Sequence, residues 1–567
     1  MKLMQGAQMN LFGHRSGRLQ WDSWHRPATA LLRKAMALPQ KVTALLRKAL
    51  QLAVFACTVC TCAIPAYGAT GPVVSIASGR IEGTVELDVE RFLGIPFARA
   101  PLGPLRWKSP VPPVKWEGVR QTTASHVGCV APESADGPAR DTEDCLYLDV
   151  YRPARTAAGG HLPMMVFFHG GGNKWGAPDI YDGLRMAREA HAIVIIPAYR
   201  LGVFGFLALP GDTAGDTALR DQIAALEWVR HNATLLGGSP DAVTIAGESA
   251  GGTDVCTLLA SPLAKGLFSA AIVQSGFCYG NPDRQAAEAL GLAVAKQAGC
   301  TDRPAGCLRA LPAARVVAAW DAVWASGSIK TPLFPMTATG TAALPRAPLE
   351  AFAAGERIQV PVLVGYDRDE LRSFLSREYP LSPERFNETV RRAYGADADS
   401  VKAEYPLSAG TDPLYTLGAI RSDQMIICPG FLTADALAKH GPVSTFEFAD
   451  RTAPPFQALA MRHPDPAGFE QGAGHTSELQ YLFGYKAVAR EPTADQAALA
   501  DRMTKLWVIF GRVPTPREWP NYSSSVRRTT VIALPAAQGI QSRTDAFDLH
   551  HCRFWSERPI GAAVLLP

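Results

Sequence analysis

Val243-Thr-Ile-Ala-Gly-Glu-Ser-Ala-Gly-Gly252 is the stretch from which the rest of this chain can be interpreted. Residues 243–246 form a short apolar run of the kind found in buried β-strands. Residues 247–251 then fit the pattern G-x-S-x-G, in which a serine occupies a strained turn between a strand and a helix. Residues 253–260 are predicted to form the helix that follows this turn. The stretch therefore predicts that Ser249 is an activated nucleophile.

The segments around this turn predict an α/β protein. Apolar or alternating runs predict strands at 143–151, 163–168, 192–198 and 360–365, helical periodicity predicts a helix at 217–231, and residues 70–90 alternate like an antiparallel hairpin. Strands that alternate with helices favour a mostly parallel sheet with helices on both faces.

Charge is distributed unevenly along the 567 residues. Residues 1–69 carry a net charge of +8 and the remainder −4, so the basic excess does not indicate nucleic-acid binding. Residues 49–64 are apolar, follow Arg47-Lys48 and lead into small residues, as in a secretory signal. We expect a leader at 1–69 and one domain at 70–567, and we expect translation to begin at Met36. Export to the periplasm or the medium follows, with no membrane span after cleavage; an uncleaved membrane anchor is the alternative.

Several motifs in order then resemble the type-B carboxylesterases, which are α/β-hydrolases that include cholinesterases and bacterial para-nitrobenzyl esterases. They are Phe92-Leu-Gly-Ile-Pro-Phe-Ala98, Glu143-Asp-Cys-Leu-Tyr-Leu148, His169-Gly-Gly-Gly172, Tyr199-Arg-Leu-Gly202 and Gly247-Glu-Ser-Ala-Gly-Gly252, the nucleophile elbow around Ser249. The resemblance covers roughly residues 72–560. It implies the α/β-hydrolase fold, with a large, mostly parallel central sheet and insertions that form a gorge.

A base and an acid should follow Ser249 along the chain, in the order serine, acid, histidine. Gly472-Ala-Gly-His475 resembles the histidine loop of the family, which implies His475 as the base. Glu370 matches the family's acid, with Asp369 as the rival and Leu371 in place of the usual glycine.

Backbone amides should stabilise the oxyanion of the reaction. Gly171 and Gly172 match the family's donors, and the amide of Ala250 joins them. The same resemblance implies that Ser275, which is not a member of the triad, supports it indirectly.

The acyl side of the pocket should be wider and more polar than in the cholinesterases. Lys174 stands where the family usually has an aromatic residue, and Ile329 and Thr331 stand where cholinesterases place bulky rings. Lys330 and Phe374 are further pocket candidates. Either the two lysines point to solvent, as most lysines do, or they favour bulky or anionic acyl groups.

The eleven cysteines favour an exported protein. The resemblance implies disulfides that join Cys129 to Cys145, Cys300 to Cys307 and Cys428 to Cys552. Cys256 and Cys278 are then expected to remain as buried thiols. The rival interpretation, metal binding, finds no CxxC-type cluster outside the leader.

The resemblance implies a carboxylic ester hydrolase that acts on small to medium organic esters through an acyl-enzyme. We expect no cofactor and no metal. The alternatives are a catalytically silent adhesion or binding homologue, and an amidase or acyltransferase with the same triad. The natural substrate and the oligomeric state stay open at this point.

Overall fold

The structure is a computed structural model that describes residues 71–133, 139–327, 329, 331–454, 465–484, 491–511 and 517–558. The strands are β1 (Val73–Ile76), β2 (Gly79–Glu82), β3 (Thr84–Glu86), β4 (Val89–Pro96), β5 (Val119–Gln121), β6 (Tyr147–Pro153), β7 (Leu162–Phe168), β8 (Ile193–Pro197), β9 (Ala208–Leu209), β10 (Thr213–Ala214), β11 (Gly238–Glu248), β12 (Ala270–Gln274), β13 (Val362–Asp367), β14 (Val443–Phe448), β15 (Thr529–Ile532) and β16 (Ile540–Arg543). The helices are α1 (Leu184–Glu189), α2 (Gly202–Phe206), α3 (Thr217–Asn232), α4 (Ala250–Ala260), α5 (Arg284–Gln297), α6 (Pro304–Ala310), α7 (Ala313–Ser326), α8 (Pro348–Ala353), α9 (Pro383–Tyr394), α10 (Ala398–Glu404), α11 (Pro413–Ser422), α12 (Cys428–Ala438), α13 (Leu479–Phe483), α14 (Ala494–Phe510), α15 (Ala546–Leu549) and α16 (Cys552–Ser556).

Strand β11 is the central strand of an eleven-stranded sheet in the order β16-β15-β14-β13-β12-β11-β7-β8-β6-β4-β3. The pairings from β8 to β15 are parallel, whereas β3, β4, β6 and β16 pair antiparallel towards the two edges. Strands β8 and β13 are buried along their whole length, which explains their continuous apolar runs. The predicted α/β-hydrolase fold, with its mostly parallel sheet and helices on both faces, is confirmed.

The N-terminal hairpin also forms where the alternation of residues 70–90 predicts it. Strands β1 and β2 pair antiparallel and belong with β5 to a separate three-stranded sheet. The proposed leader at 1–69 lies outside the described residues. Within the described part of the chain, no helix combines the length and apolar character that crossing a membrane needs.

The parallel strands bring their carboxyl ends to one edge of the sheet. Ser249 follows β11 directly, His169 follows β7, and Glu370 follows β13 by three residues. The strands are in register there: Gly247 lies beside Phe168, and Glu248 beside Gln274. Loops after neighbouring parallel strands meet at this edge, so the predicted site residues converge although they are far apart in sequence.

Helix α4 begins immediately after Ser249, three residues before the predicted start, and all of its residues are buried. Two glycines permit this close start. A Cβ atom at Gly251 would lie 2.0 Å from the carbonyl oxygen of Phe168, and one at Gly252 would lie 2.5 Å from that of Gln274. The helix can therefore pack directly against β7 and β12.

Four disulfides cross-link the described chain. Three of them join the pairs that the resemblance implies, Cys129 to Cys145, Cys300 to Cys307 and Cys428 to Cys552. The fourth joins Cys256 to Cys278, so the expectation of two free buried thiols is wrong. The physical reason is the packing of α4 against the end of β12, which brings the two Cα atoms within 5.3 Å.

Candidate active site

Ser249 occupies the strained turn that the G-x-S-x-G pattern predicts. Its backbone angles are φ 58° and ψ −122°, a conformation that costs a non-glycine residue about 1–3 kcal/mol. The Ser249 amide donates to the carbonyl oxygen of Gln274 over 2.9 Å, which holds the turn against β12. A Cβ atom at Gly247 would lie only 2.4 Å from the oxygen of Gly251, so the tight turn requires glycine there.

A cavity of about 310 Å³ opens above Ser249. Most of its lining is apolar and includes Trp175, Ile180, Phe277, Leu333, Phe334, Leu371, Phe374, Met425 and Ile426. The polar groups in the lining include Ser249, His475, Glu248 and the backbone of Gly171 and Gly172. A mostly apolar cavity with a few converging polar groups is typical of a site for a small organic molecule.

Glu370 and His475 form a buried pair beside this cavity. Glu370 Oε2 lies 2.6 Å from His475 Nδ1, and the other carboxylate oxygen accepts the amide of Asp367 over 3.0 Å. The His475 amide also donates to the Glu370 carbonyl oxygen over 2.9 Å. With Nδ1–H donating to the carboxylate, the ring presents Nε2 as its basic nitrogen.

Asp369, the rival acid, has partners other than the His475 ring. Its side chain accepts from Arg451 Nε over 2.9 Å and from the amide of Ala473 over 3.0 Å, and it is paired with Arg372. Leu371, which replaces the family's usual glycine, is buried and donates its amide to Ser422 Oγ over 2.9 Å. The substitution therefore leaves the contact between Glu370 and His475 intact.

Glu248 is a site residue that the sequence did not single out. Its Oε1 atom lies 3.2 Å from His475 Nε2, and Glu248 is 1% exposed. Burial raises the pKa of Glu248 well above its ordinary value, against the opposing charge of His475. Burial lowers the pKa of His475, but the charges of Glu248 and Glu370 raise it to about 9. No hydrogen bond between the Ser249 hydroxyl and Nε2 is found among the described residues, and such bonds can form only when the substrate binds.

The three residues predicted to stabilise an oxyanion lie in the loop after β7 and at the first position of α4. Gly171 and Gly172 have φ angles of 109° and 59°, and Ala250 is the first residue of α4. A Cβ atom at Gly171 would lie 2.4 Å from the Trp175 carbonyl oxygen, so this loop also requires glycine. The amide of Ala250 points out of a helix N-terminus, which favours negative charge.

The acyl-pocket candidates are brought together only in part. Lys174 and Phe374 line the cavity, and the Phe374 ring centroid lies 5.4 Å from that of His475. Leu333 and Phe334 line it in place of Ile329 and Thr331, because the loop reaches the cavity only after Pro332. Lys330 lies outside the described residues.

The ammonium group of Lys174 does not extend freely into solvent. Its Nζ atom lies 4.6 Å from the ring centroid of Trp324 on α7. Burial lowers the pKa of Lys174, while the charge of Asp321 opposes that change.

The fold and the elbow serine define a serine hydrolase of the α/β-hydrolase class. Residues 70–555 match the profile of the carboxylesterase family, and the chain belongs to that family. It is 31% identical over 487 residues to the para-nitrobenzyl esterase of Bacillus subtilis (strain 168), covering 82% of this chain and 95% of that protein. It is 31% identical over 537 residues to the cocaine esterase of Homo sapiens, covering 86% and 91%. A solved structure of a PNB esterase superposes with a TM-score of 0.70 at 30% identity, covering 85% of this chain and 99% of that chain. The protein is a carboxylic ester hydrolase.

Proposed function

We propose that Ser249, His475 and Glu370 form the catalytic triad of this esterase. The observation that carries the proposal is the 2.6 Å contact between Glu370 Oε2 and His475 Nδ1, beside the cavity that also holds Ser249. Glu370 fixes the tautomer of the imidazole and stabilises the imidazolium that forms during the reaction.

The reaction runs through an acyl-enzyme. His475 Nε2 takes the Ser249 proton while Oγ attacks the ester carbonyl carbon, and the amides of Gly171, Gly172 and Ala250 hold the oxyanion. His475 then gives its proton to the departing alcohol. Water attacks the acyl-enzyme with the same help, and the acid leaves.

In this proposal, Ser275 supports the triad indirectly, by linking the strands that carry its members. It is buried directly after β12, and its amide donates to the Gly365 carbonyl oxygen over 2.8 Å. This bond joins the end of β12, which holds Ser249, to β13, which leads to Glu370.

The substrates we propose are small to medium organic esters with largely apolar groups. The volume of about 310 Å³ and the apolar lining support this class. The names of the relatives, a para-nitrobenzyl esterase and a cocaine esterase, point in the same direction.

We also propose that the protein is exported through its N-terminal leader. The support is the signal-like pattern of residues 49–69 together with four disulfides in the described chain. Disulfides of this kind persist in oxidising compartments.

The substitution Ser249→Ala tests the triad. We expect turnover of a nitrophenyl butyrate to fall by at least about 10³-fold, because no other group can form the acyl-enzyme. Thermal unfolding should stay near the wild-type midpoint, since one hydroxyl is removed without a cavity. Ser400→Ala, at an exposed position on α10, is the matched control. Near-normal turnover in purified Ser249→Ala protein would overturn the assignment.

A further inference from the structure

Two buried carboxyl groups that the mechanism does not use lie behind the triad. Asp367, the last residue of β13, and Glu478, just before α13, are at most 1% exposed, and their carboxyl groups lie within hydrogen-bonding reach of each other. One oxygen of each group has its partner: Asp367 Oδ2 accepts the Ser477 amide over 3.0 Å, and Glu478 Oε1 accepts Gln274 Nε2 over 2.7 Å. The remaining oxygens, Asp367 Oδ1 and Glu478 Oε2, have no donor among the described residues.

One proton satisfies both remaining oxygens. If Asp367 Oδ1 carries it, the resulting hydroxyl donates to Glu478 Oε2, and all four oxygens are paired. Without that proton, two negative charges would be in contact with each other inside the protein, an arrangement that buried carboxylates avoid by holding a proton. Burial raises the pKa of Asp367 well above its ordinary value, and the charge of Glu478 raises it further.

The pair is connected to each member of the proposed triad. The Asp367 amide donates to Glu370 Oε1 over 3.0 Å. The Asp367 side chain holds the Ser477 amide, two residues after His475. Glu478 accepts a hydrogen bond from the side chain of Gln274, and the backbone carbonyl oxygen of Gln274 accepts the Ser249 amide over 2.9 Å.

We propose that Asp367 and Glu478 share one proton, and that this carboxyl–carboxylate pair positions Glu370, His475 and Ser249 for the reaction. The inference rests on the proposed triad. Asp367 and Glu478 are positioning residues, since their effect reaches the substrate through other side chains. The charged and titratable groups that face the pair are Glu248, Glu370 and His475, and its hydrogen-bond partners, Gln274 and Ser477, are neutral.

The variants Asp367→Asn and Asp367→Ala separate the hydrogen bonds of the pair from its titratable proton. The asparagine amide can donate to Glu478 Oε2 while its oxygen accepts the Ser477 amide, so Asp367→Asn keeps every hydrogen bond without a titratable proton. We expect its kcat at neutral pH to stay within about threefold of wild type, and kcat of Asp367→Ala to fall about 10- to 100-fold with little change in KM. In wild type, kcat should also fall at alkaline pH as the shared proton is lost; Asp367→Asn should lack that fall.

Infrared difference spectroscopy provides a readout that does not depend on turnover. Wild type minus Asp367→Asn should show the carbonyl stretch of a buried protonated carboxylic acid at neutral pH. Absence of that band, or a kcat of Asp367→Asn as low as that of Asp367→Ala, would overturn the proposal even where Asp367→Ala fails to fold. Labelling of Ser249 by a fluorophosphonate distinguishes the two proposals. If wild type is labelled normally but its pH profile is the same as that of Asp367→Asn, only the shared proton is contradicted. If Ser249 of the wild type is not labelled, the triad itself is contradicted.

Discussion

In the proposed triad, the protonation of His475 sets the pH range of activity, because only the neutral imidazole accepts the proton of Ser249. Burial lowers the pKa of His475, but the charges of Glu248 and Glu370 outweigh that effect and raise it to about 9. Activity should therefore fall as the pH drops through this value, well above the 6.5 of an ordinary histidine. A profile of kcat/KM against pH measures this acid limb.

Glu248→Gln tests which carboxylate is responsible for that limb. The glutamine keeps the side-chain volume and removes a charge 3.2 Å from Nε2, so we expect the limb to move to lower pH by about one unit. Asp321→Asn, which removes a charge from α7, is the control and should leave the limb in place. If the limb of Glu248→Gln stays at the wild-type pH, Glu248 is uncharged in the free enzyme and Glu370 alone sets the pKa.

Lys174 is the residue that can give the apolar cavity a preference for acyl groups with a distal carboxylate. Its half-buried ammonium group lies over Trp324, and its side chain lines the cavity. We expect Lys174→Met to lower kcat/KM for a hemisuccinate ester about fivefold relative to the butyrate ester of the same alcohol. Lys265→Met, at an exposed position outside the cavity, is the control. An unchanged ratio would remove Lys174 from acyl recognition.

At the scale of elements, the disulfide between Cys256 and Cys278 fixes α4 to the segment that follows β12. Its loop spans 22 residues, so constraint of the unfolded chain contributes about 3 kcal/mol. We expect Cys256→Ala/Cys278→Ala to lower the free energy of unfolding by about that amount, measured by denaturant titration. Peptide mapping of the wild type checks the link itself. Free thiols at both positions in the oxidised protein would contradict it.

The core elements could be predicted from sequence because both faces of the parallel sheet are covered, which makes each inner strand a continuous apolar run. The first residues of these elements are predicted less accurately than their type. Strand β6 begins at Tyr147 rather than at residue 143, since Cys145 is held in a disulfide before the strand starts. Helix α4 begins at Ala250 because glycines allow it to start directly after the turn, which the predicted start at 253 missed.

The partners of a buried side chain are harder to predict than the elements. Glu248 stands within the quoted elbow motif, yet nothing in the spacing shows that its carboxylate reaches His475. Asp367 and Glu478 are 111 residues apart and meet only because β13 and the segment before α13 end at the same edge of the sheet. Motifs identify which residues react, whereas the charges that tune them come from tertiary neighbours.

At the scale of the whole molecule, the disulfides should differ in their effect on stability according to the loops they close. The link between Cys428 and Cys552 spans 124 residues and that between Cys300 and Cys307 spans 7, which correspond to about 5 and about 2 kcal/mol. The double serine variant of the long link should therefore unfold at a distinctly lower denaturant concentration than that of the short link. Equal losses would show that strain or residual structure in the unfolded chain, rather than loop length, sets the effect.

We expect these links to form only after the proposed export. Residues 1–69 hold the whole basic excess of the chain and its signal-like apolar run, so we expect the leader to be removed during export and the rest to oxidise outside the cytosol. Full-length protein expressed in a bacterial host should be recovered from the periplasm or medium with a mass that lacks the leader.

The eight cysteines of the four disulfides should react with a thiol reagent only after reduction. The same chain without residues 1–69, kept in a reducing cytosol, serves as the control and should unfold at a lower temperature. An exported protein that retains the leader would show that the segment anchors rather than directs the enzyme, and reactive thiols without reduction would contradict the four links.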